Sequence, residues 1–140
     1  MRKSLVSGVL VGFMVLFVGV AQAATPKYVL QISDASPVKQ TLVLNVAHNL
    51  QKHYGVGNVD VEVVAFGPGL RLLFKDNVRK DRIRSMSMNG IRFSACHNTI
   101  MGMSKILGHK PVLNPASVVV PGGAVRIGDL VRQGYVLIRP

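Results

Sequence analysis

Ile91-Arg92-Phe93-Ser94-Ala95-Cys96-His97-Asn98-Thr99-Ile100-Met101-Gly102-Met103 is the stretch that decides the fold. Ile91 to Ala95 follows Gly90, is short and mostly apolar, and predicts a buried strand. Asn98 and Thr99 are residue types that cap helix N-termini, and Ile100, Met103 and Leu107 then recur at near-helical spacing. Cys96, the one cysteine of the chain, therefore falls in a strand-to-helix turn. In α/β proteins ligands collect at such turns, and the unpaired N–H groups of a helix start stabilise a thiolate. Cysteine is also among the residues most often buried as plain packing. Its place at the C-terminal end of a strand, beside His97, favours the reactive reading.

Outward from this unit the same alternation repeats. Lys27 to Ser33 reads as a strand, and Ser36 as N-cap with Pro37 at the first helical position starts a helix that runs to about Tyr54. Val38, Leu42, Val46, Asn49, Leu50 and His53 form its expected buried stripe, and Gly55 ends it. Val59 to Phe66 is a second strand, followed by the tight loop Gly67-Pro68-Gly69 and a helical turn carrying Leu70, Leu73 and Phe74. Asn77 to Met88 has Val78, Arg82, Ile83 and Met86 at helical spacing and ends at Asn89-Gly90. After the Cys96 unit and Gly108, Pro111 to Pro115 is loop with a short extended piece. Ala116 to Val120 is a fourth strand stopped by Pro121-Gly122-Gly123, Ala124 to Arg132 a helix, and Tyr135 to Arg139 a fifth strand.

Strands alternating with helices predict βαβ units and an α/β fold, with a mostly parallel five-stranded sheet covered on both faces. All strand C-termini then share one edge. That places Ser33-Asp34, Gly67-Pro68-Gly69, Cys96-His97-Asn98-Thr99 and Pro121-Gly122-Gly123 on a common rim, whatever the strand order.

Residues 1–23 read as a signal peptide: Arg2 and Lys3, an apolar run from Leu5 to Val20, and the small-x-small site Ala21-Gln22-Ala23. The run is also long enough for an uncleaved anchor, but the Ala-x-Ala site favours cleavage and a periplasmic location. Residues 24–140 are then a single domain. In an oxidising compartment a lone cysteine is buried and inert, a reactive thiol, or half of an intermolecular bridge.

Several chemistries are narrowed by residue type. No Cys-x-x-Cys occurs, which argues against a self-contained dithiol oxidoreductase. Gly67-Pro68-Gly69 matches neither nucleotide-binding glycine pattern. Asp34 serves equally as a ligand-orienting base or as a turn residue bonding its own backbone. Cys96, Met101 and Met103 are soft ligands of the kind that select Cu(I), yet methionines two apart on a helix face different ways, so no metal site is assigned. With 17 Lys and Arg against 6 Asp and Glu, the chain is strongly basic. Seven of the cations, Arg71, Lys75, Arg79, Lys80, Arg82, Arg84 and Arg92, lie in one segment. Weak binding to anionic surfaces fits that segment; nucleic acid is not expected, because stacking aromatics are missing there.

Tyr28 to Asp34 (YVLQISD), Val61 to Leu73 (VEVVAFGPGLRLL), Phe93 to Thr99 (FSACHNT) and Gly134 to Pro140 (GYVLIRP) resemble the DsrE-like proteins, and within them the small exported branch. The resemblance spans nearly all of residues 24–140. It implies a three-layer α/β/α domain, assembly into homo-oligomers, and sulfur handling in which Cys96 acts as thiolate and persulfide carrier, with a sulfur donor or acceptor protein as partner and no cofactor. Ser33, Asp34, Gly67, Pro68, Gly69, His97, Asn98 and Thr99 would wall its pocket. His97 stands where the family has a small residue such as glycine. The competing expectation is a non-catalytic module that binds a small anion or a soft metal such as Cu(I).

Overall fold

Parallel strands separated by helical crossovers can be laid side by side in many orders; this chain uses β4-β3-β2-β1-β5, with every neighbouring pair parallel. The strands are β1 (Lys27–Ile32), β2 (Asp60–Ala65), β3 (Arg92–Cys96), β4 (Ser117–Val120) and β5 (Val136–Ile138). Between them lie α1 (Pro37–Tyr54), a 3-10 helix (Gly67–Leu73), α2 (Lys80–Met88), α3 (His97–Leu107) and α4 (Gly123–Arg132). The computed structural model describes Gly19 and residues 22–140. The signal-peptide reading of residues 1–23 lies almost wholly outside the described residues, and among these no helix is long and apolar enough to cross a membrane.

The strand order explains the layers. From β1 to β4 each crossover steps the same way along the sheet, and right-handed connections put all their helices on one face. The last crossover runs back past β1 to β5, so α4 lands alone on the other face. Strand residues divide accordingly. Leu30, Ile32, Val61, Val63, Ala65, Phe93 and Ala95 meet Val43, Leu44 and Ala47 of α1, Leu70, Leu72 and Leu73 of the 3-10 helix, Ile83 of α2 and Ile100 of α3 in the main core. Val29 and Val64, pointing oppositely, form a smaller core with Ile127 and Leu130 of α4 and with Tyr135. The three-layer α/β/α fold is therefore present, with unequal outer layers.

The expected buried stripe of α1 is rotated. Val38 is 75% exposed, while Gln40, Val43, Leu44, Ala47 and Gln51 are buried. Two amides can turn inward because each finds partners: Gln40 donates to the Ala35 carbonyl and accepts from Asn77, and Gln51 donates to the Asn89 carbonyl at 2.6 Å. A periodicity count treats glutamine as outward-facing and so misplaces the face. Val78, expected on the α2 stripe, precedes that helix and is exposed; Ile83 and Met86 are buried as expected. Phe74 lies past the 3-10 helix and pairs antiparallel with Leu113, the extended piece of the Pro111 to Pro115 loop.

Candidate functional site

The register aligns Ile32 with Ala65, Ala65 with Ala95, and Cys96 with Val120, so the strand ends form one rim. The loops on that rim touch. Gly69 sits so close to β1 that a Cβ would fall 2.2 Å from the Ile32 carbonyl oxygen, a position open only to glycine. Thr99 Oγ1 accepts the Gly67 N–H at 2.9 Å, tying the glycine loop to the first turn of α3.

Cys96 itself, rather than Asn98 or Thr99, is the N-cap of α3: its backbone is extended (φ −69°, ψ 116°) and His97 is already helical. The expected cap at Asn98 or Thr99 is thus corrected by two to three residues. β3 stays paired through Cys96, which leaves no room for an intervening turn. Asn98 and Thr99 become first-turn residues whose N–H groups have no partner within the helix and are free to face the sulfur.

Burial pushes the Cys96 thiol up, since the residue is only 5% exposed, but hydrogen bonding more than offsets this. The Thr99 hydroxyl and the N–H groups of Thr99, Gly123 and Asn98 hold the thiol below its ordinary value. The Gly123 contribution comes from the other side of the sheet. Gly123 opens α4, so two helix N-termini converge on one sulfur. Its lack of a side chain permits this, because a Cβ there would meet Phe66 Cβ at 2.7 Å. His97, beside the thiol in sequence, is exposed.

Ser33 and Asp34 are on the rim but not at the thiol. They end β1, two strands from β3, and line a separate cavity of about 280 Å³ with Gln31, Lys39 and Arg139. Asp34 accepts the Ser36 N–H at 2.7 Å and lies 3.6 Å from Lys39, so its carboxylate shapes the turn into α1. Gly67, Pro68 and Thr99 wall a further, mostly apolar groove of about 740 Å³ with Arg71, Phe74, Met103, Ile106 and Leu107. Met103 packs against the main core while Met101 is exposed, as their spacing on a helix requires.

Sequence patterning missed a polar cluster under α4. Glu62 is fully buried in the middle of β2. Arg126 of α4 grips its carboxylate with two bonds of 2.7 and 2.8 Å, Ser94 donates at 2.7 Å, and Arg92 at 3.1 Å. Burial pushes the Glu62 carboxyl up, and these donors more than reverse it, so its pKa lies below the usual value. Arg92 also meets Asp60 at 2.9 Å and Tyr135 Oη at 2.7 Å, and Tyr135 donates to Asp60. Arg92 thus lies at the far end of β3 from the thiol. Of the basic segment, Arg79 binds the Pro37 carbonyl and Thr41, and Arg82 binds Asn45, so three of its seven cations are structural. A glutamate inside an otherwise apolar strand was the available signal.

No protein-family model matches the chain, and no curated protein matches it. Among solved structures it is similar to a protein of unknown function, MTH1491 from Methanobacterium thermoautotrophicum. The two share 26% identity and superpose with a TM-score of 0.71, over 82% of this chain and 99% of the other. The α/β/α fold is common to both.

Proposed function

We propose that the chain is an exported DsrE-like sulfur carrier in which Cys96 accepts a sulfane sulfur as a persulfide. The observation that carries this reading is the thiol at the meeting point of two helix N-termini, with hydrogen-bond donors from Thr99, Asn98 and Gly123. Donors arranged around a sulfur favour an anion, and the product persulfide is an anion one atom longer. Inert packing would need no such donors.

With thiosulfate as donor, the Cys96 thiolate attacks the outer sulfur. The S–S bond breaks, sulfite leaves with the electron pair, and Cys96 keeps a persulfide anion. An acceptor thiolate on a partner then attacks the terminal sulfur and expels the Cys96 thiolate. No oxidant or reductant is consumed. Exposed apolar residues on α3 and β4, among them Ile106, Leu107, Val118 and Val119, support assembly with further copies of the chain. Lys75, Lys80 and Arg84 line a surface cavity of about 630 Å³ together with Asp76 and Asp81, and weak attraction to anionic surfaces is proposed for that side.

Incubation with thiosulfate or polysulfide, followed by intact-mass measurement, tests the reading. The wild-type protein gains one sulfur atom and the Cys96→Ser variant gains none. A wild-type protein that never takes up sulfur sinks it and leaves the alternative, a non-catalytic binding module.

A further inference from the structure

Cys96 pairs with Val120 of β4, and α4 starts three residues on at Gly123, so the first turn of α4 lies at the thiol end of β3 and something must hold it there. The apolar anchors of α4, Ile127 and Leu130, lie beyond its first turn and pack against Val29 and Val64 of β1 and β2. At the first turn itself the apolar contact is that of Gly123, which carries no side chain, against Phe66. Arg126 lies three residues after Gly123, on the same side of the helix, and its backbone N–H closes the first turn on the Gly122 carbonyl at 2.9 Å. Its guanidinium reaches Glu62 through both Nε and a terminal nitrogen. A two-point fork fixes orientation as well as distance. Glu62 in turn is bonded to Ser94, two residues before Cys96 on the same face of β3.

We propose that the Arg126 fork on buried Glu62 is the positioning device of the thiol site, seating the first turn of α4 over the Cys96 end of β3. The inference rests on the thiolate reading above and adds residues that touch neither sulfur nor substrate. The charged and titratable groups facing Glu62 are Arg92 from β3 and Arg126 from α4, with Asp60 and Tyr135 beyond Arg92. The outer pair Asp60 and Tyr135 steadies Arg92, at the opposite end of β3 from the thiol.

The test compares Arg126→Lys with Tyr135→Phe, following alkylation of Cys96 by iodoacetamide against pH and the urea midpoint of each protein. Lysine keeps the positive charge and loses the fork, so a through-space effect on the thiolate is nearly preserved while the seating is not. On the acid side of the pH profile, alkylation of Arg126→Lys is expected to slow roughly fivefold, the equivalent of one net hydrogen bond. Tyr135→Phe is expected to lower the urea midpoint and leave the alkylation rate as it is in the wild type. An Arg126→Lys protein that alkylates at the wild-type rate, or a Tyr135→Phe protein slowed as much, overturns the proposal. Should Arg126→Lys not fold, Glu62→Gln decides by sign. Loss of a nearby negative charge alone would speed alkylation and overturn the proposal, whereas loss of seating slows it. A wild-type thiol that reacts like free cysteine also overturns it. Failure of sulfur uptake alone sinks only the carrier function, because alkylation reads the thiolate directly.

Discussion

Replacing Thr99 by valine removes one oxygen and leaves the shape of the side chain almost unchanged. That oxygen has two duties: it donates to the Cys96 sulfur and accepts the Gly67 N–H at 2.9 Å. One hydroxyl can do both, having one proton and two lone pairs. A hydrogen bond to a charged group contributes about 1.5–3 kcal/mol, and the low end applies where neighbouring N–H groups remain to share the charge. About 1.4 kcal/mol is a factor of ten, so the ionisation constant of the thiol should fall about tenfold, and with it the thiolate fraction on the acid side of the pH profile. Separately, the Gly67 N–H loses its acceptor, which costs about 1–3 kcal/mol of stability. Iodoacetamide alkylation across a pH series reads the first effect and urea unfolding the second. Thr99→Ser keeps the hydroxyl and should retain most of the wild-type reactivity. If Thr99→Val alkylates with the wild-type pH profile, the hydroxyl is not on the sulfur and the account of the thiolate is wrong.

Three further outcomes are expected. Glu62→Ala removes the shared acceptor of Arg126, Arg92 and Ser94; both guanidinium groups are partly exposed and Arg92 keeps Asp60, so a cost of about 1–3 kcal/mol by urea unfolding is expected, and a cost near zero would mean the cluster does not tie α4 to the sheet. Gly69→Ala places a methyl group into the backbone of Ile32 and Ser33, so the loop must move, and a loss of about 2 kcal/mol or more in the same assay is expected. The Cys96 thiol is held below its ordinary value in the folded chain, so its ionisation stabilises the fold at high pH. That contribution is fully present above the unfolded value of about 8.5 and is lost as pH falls through the folded value. Wild type should therefore gain stability over Cys96→Ser as the buffer is made alkaline, and parallel stability curves would contradict this.

Much of the molecule was legible from residue order because parallel α/β architecture writes itself locally. Pro37 after Ser36 starts α1, Gly55 and Gly108 end helices at positive φ, and apolar runs mark strands. The rim followed from direction alone, without the strand order. What stayed hidden depends on contacts between distant residues. Glu62 reads as a solvent-facing residue until Arg126, far along the chain, covers it. Gln40 and Gln51 read as polar until Asn77 and Asn89 meet their amides. The convergence of α4 on Cys96 needs the return of the last crossover over β3, which no local pattern encodes. Asp34 was legible in position but not in company: its strand, β1, lies on the far side of β2 from the thiol.

The slight exposure of Cys96 makes the site a sieve by size. With only 5% of the residue open to solvent, an attacking or attacked sulfur must arrive at the end of something slim. Thiosulfate and linear polysulfides present a terminal sulfur on a narrow stem, whereas a folded partner presenting a recessed cysteine would collide with the rim before reaching bonding distance. Adding one sulfur changes this geometry. In the proposed carrier a persulfide would move the reactive atom by one S–S bond, about 2 Å, and so display what the empty thiol conceals. On the proposed reading, reagents of increasing bulk should therefore discriminate strongly against the free thiol and weakly against a persulfide.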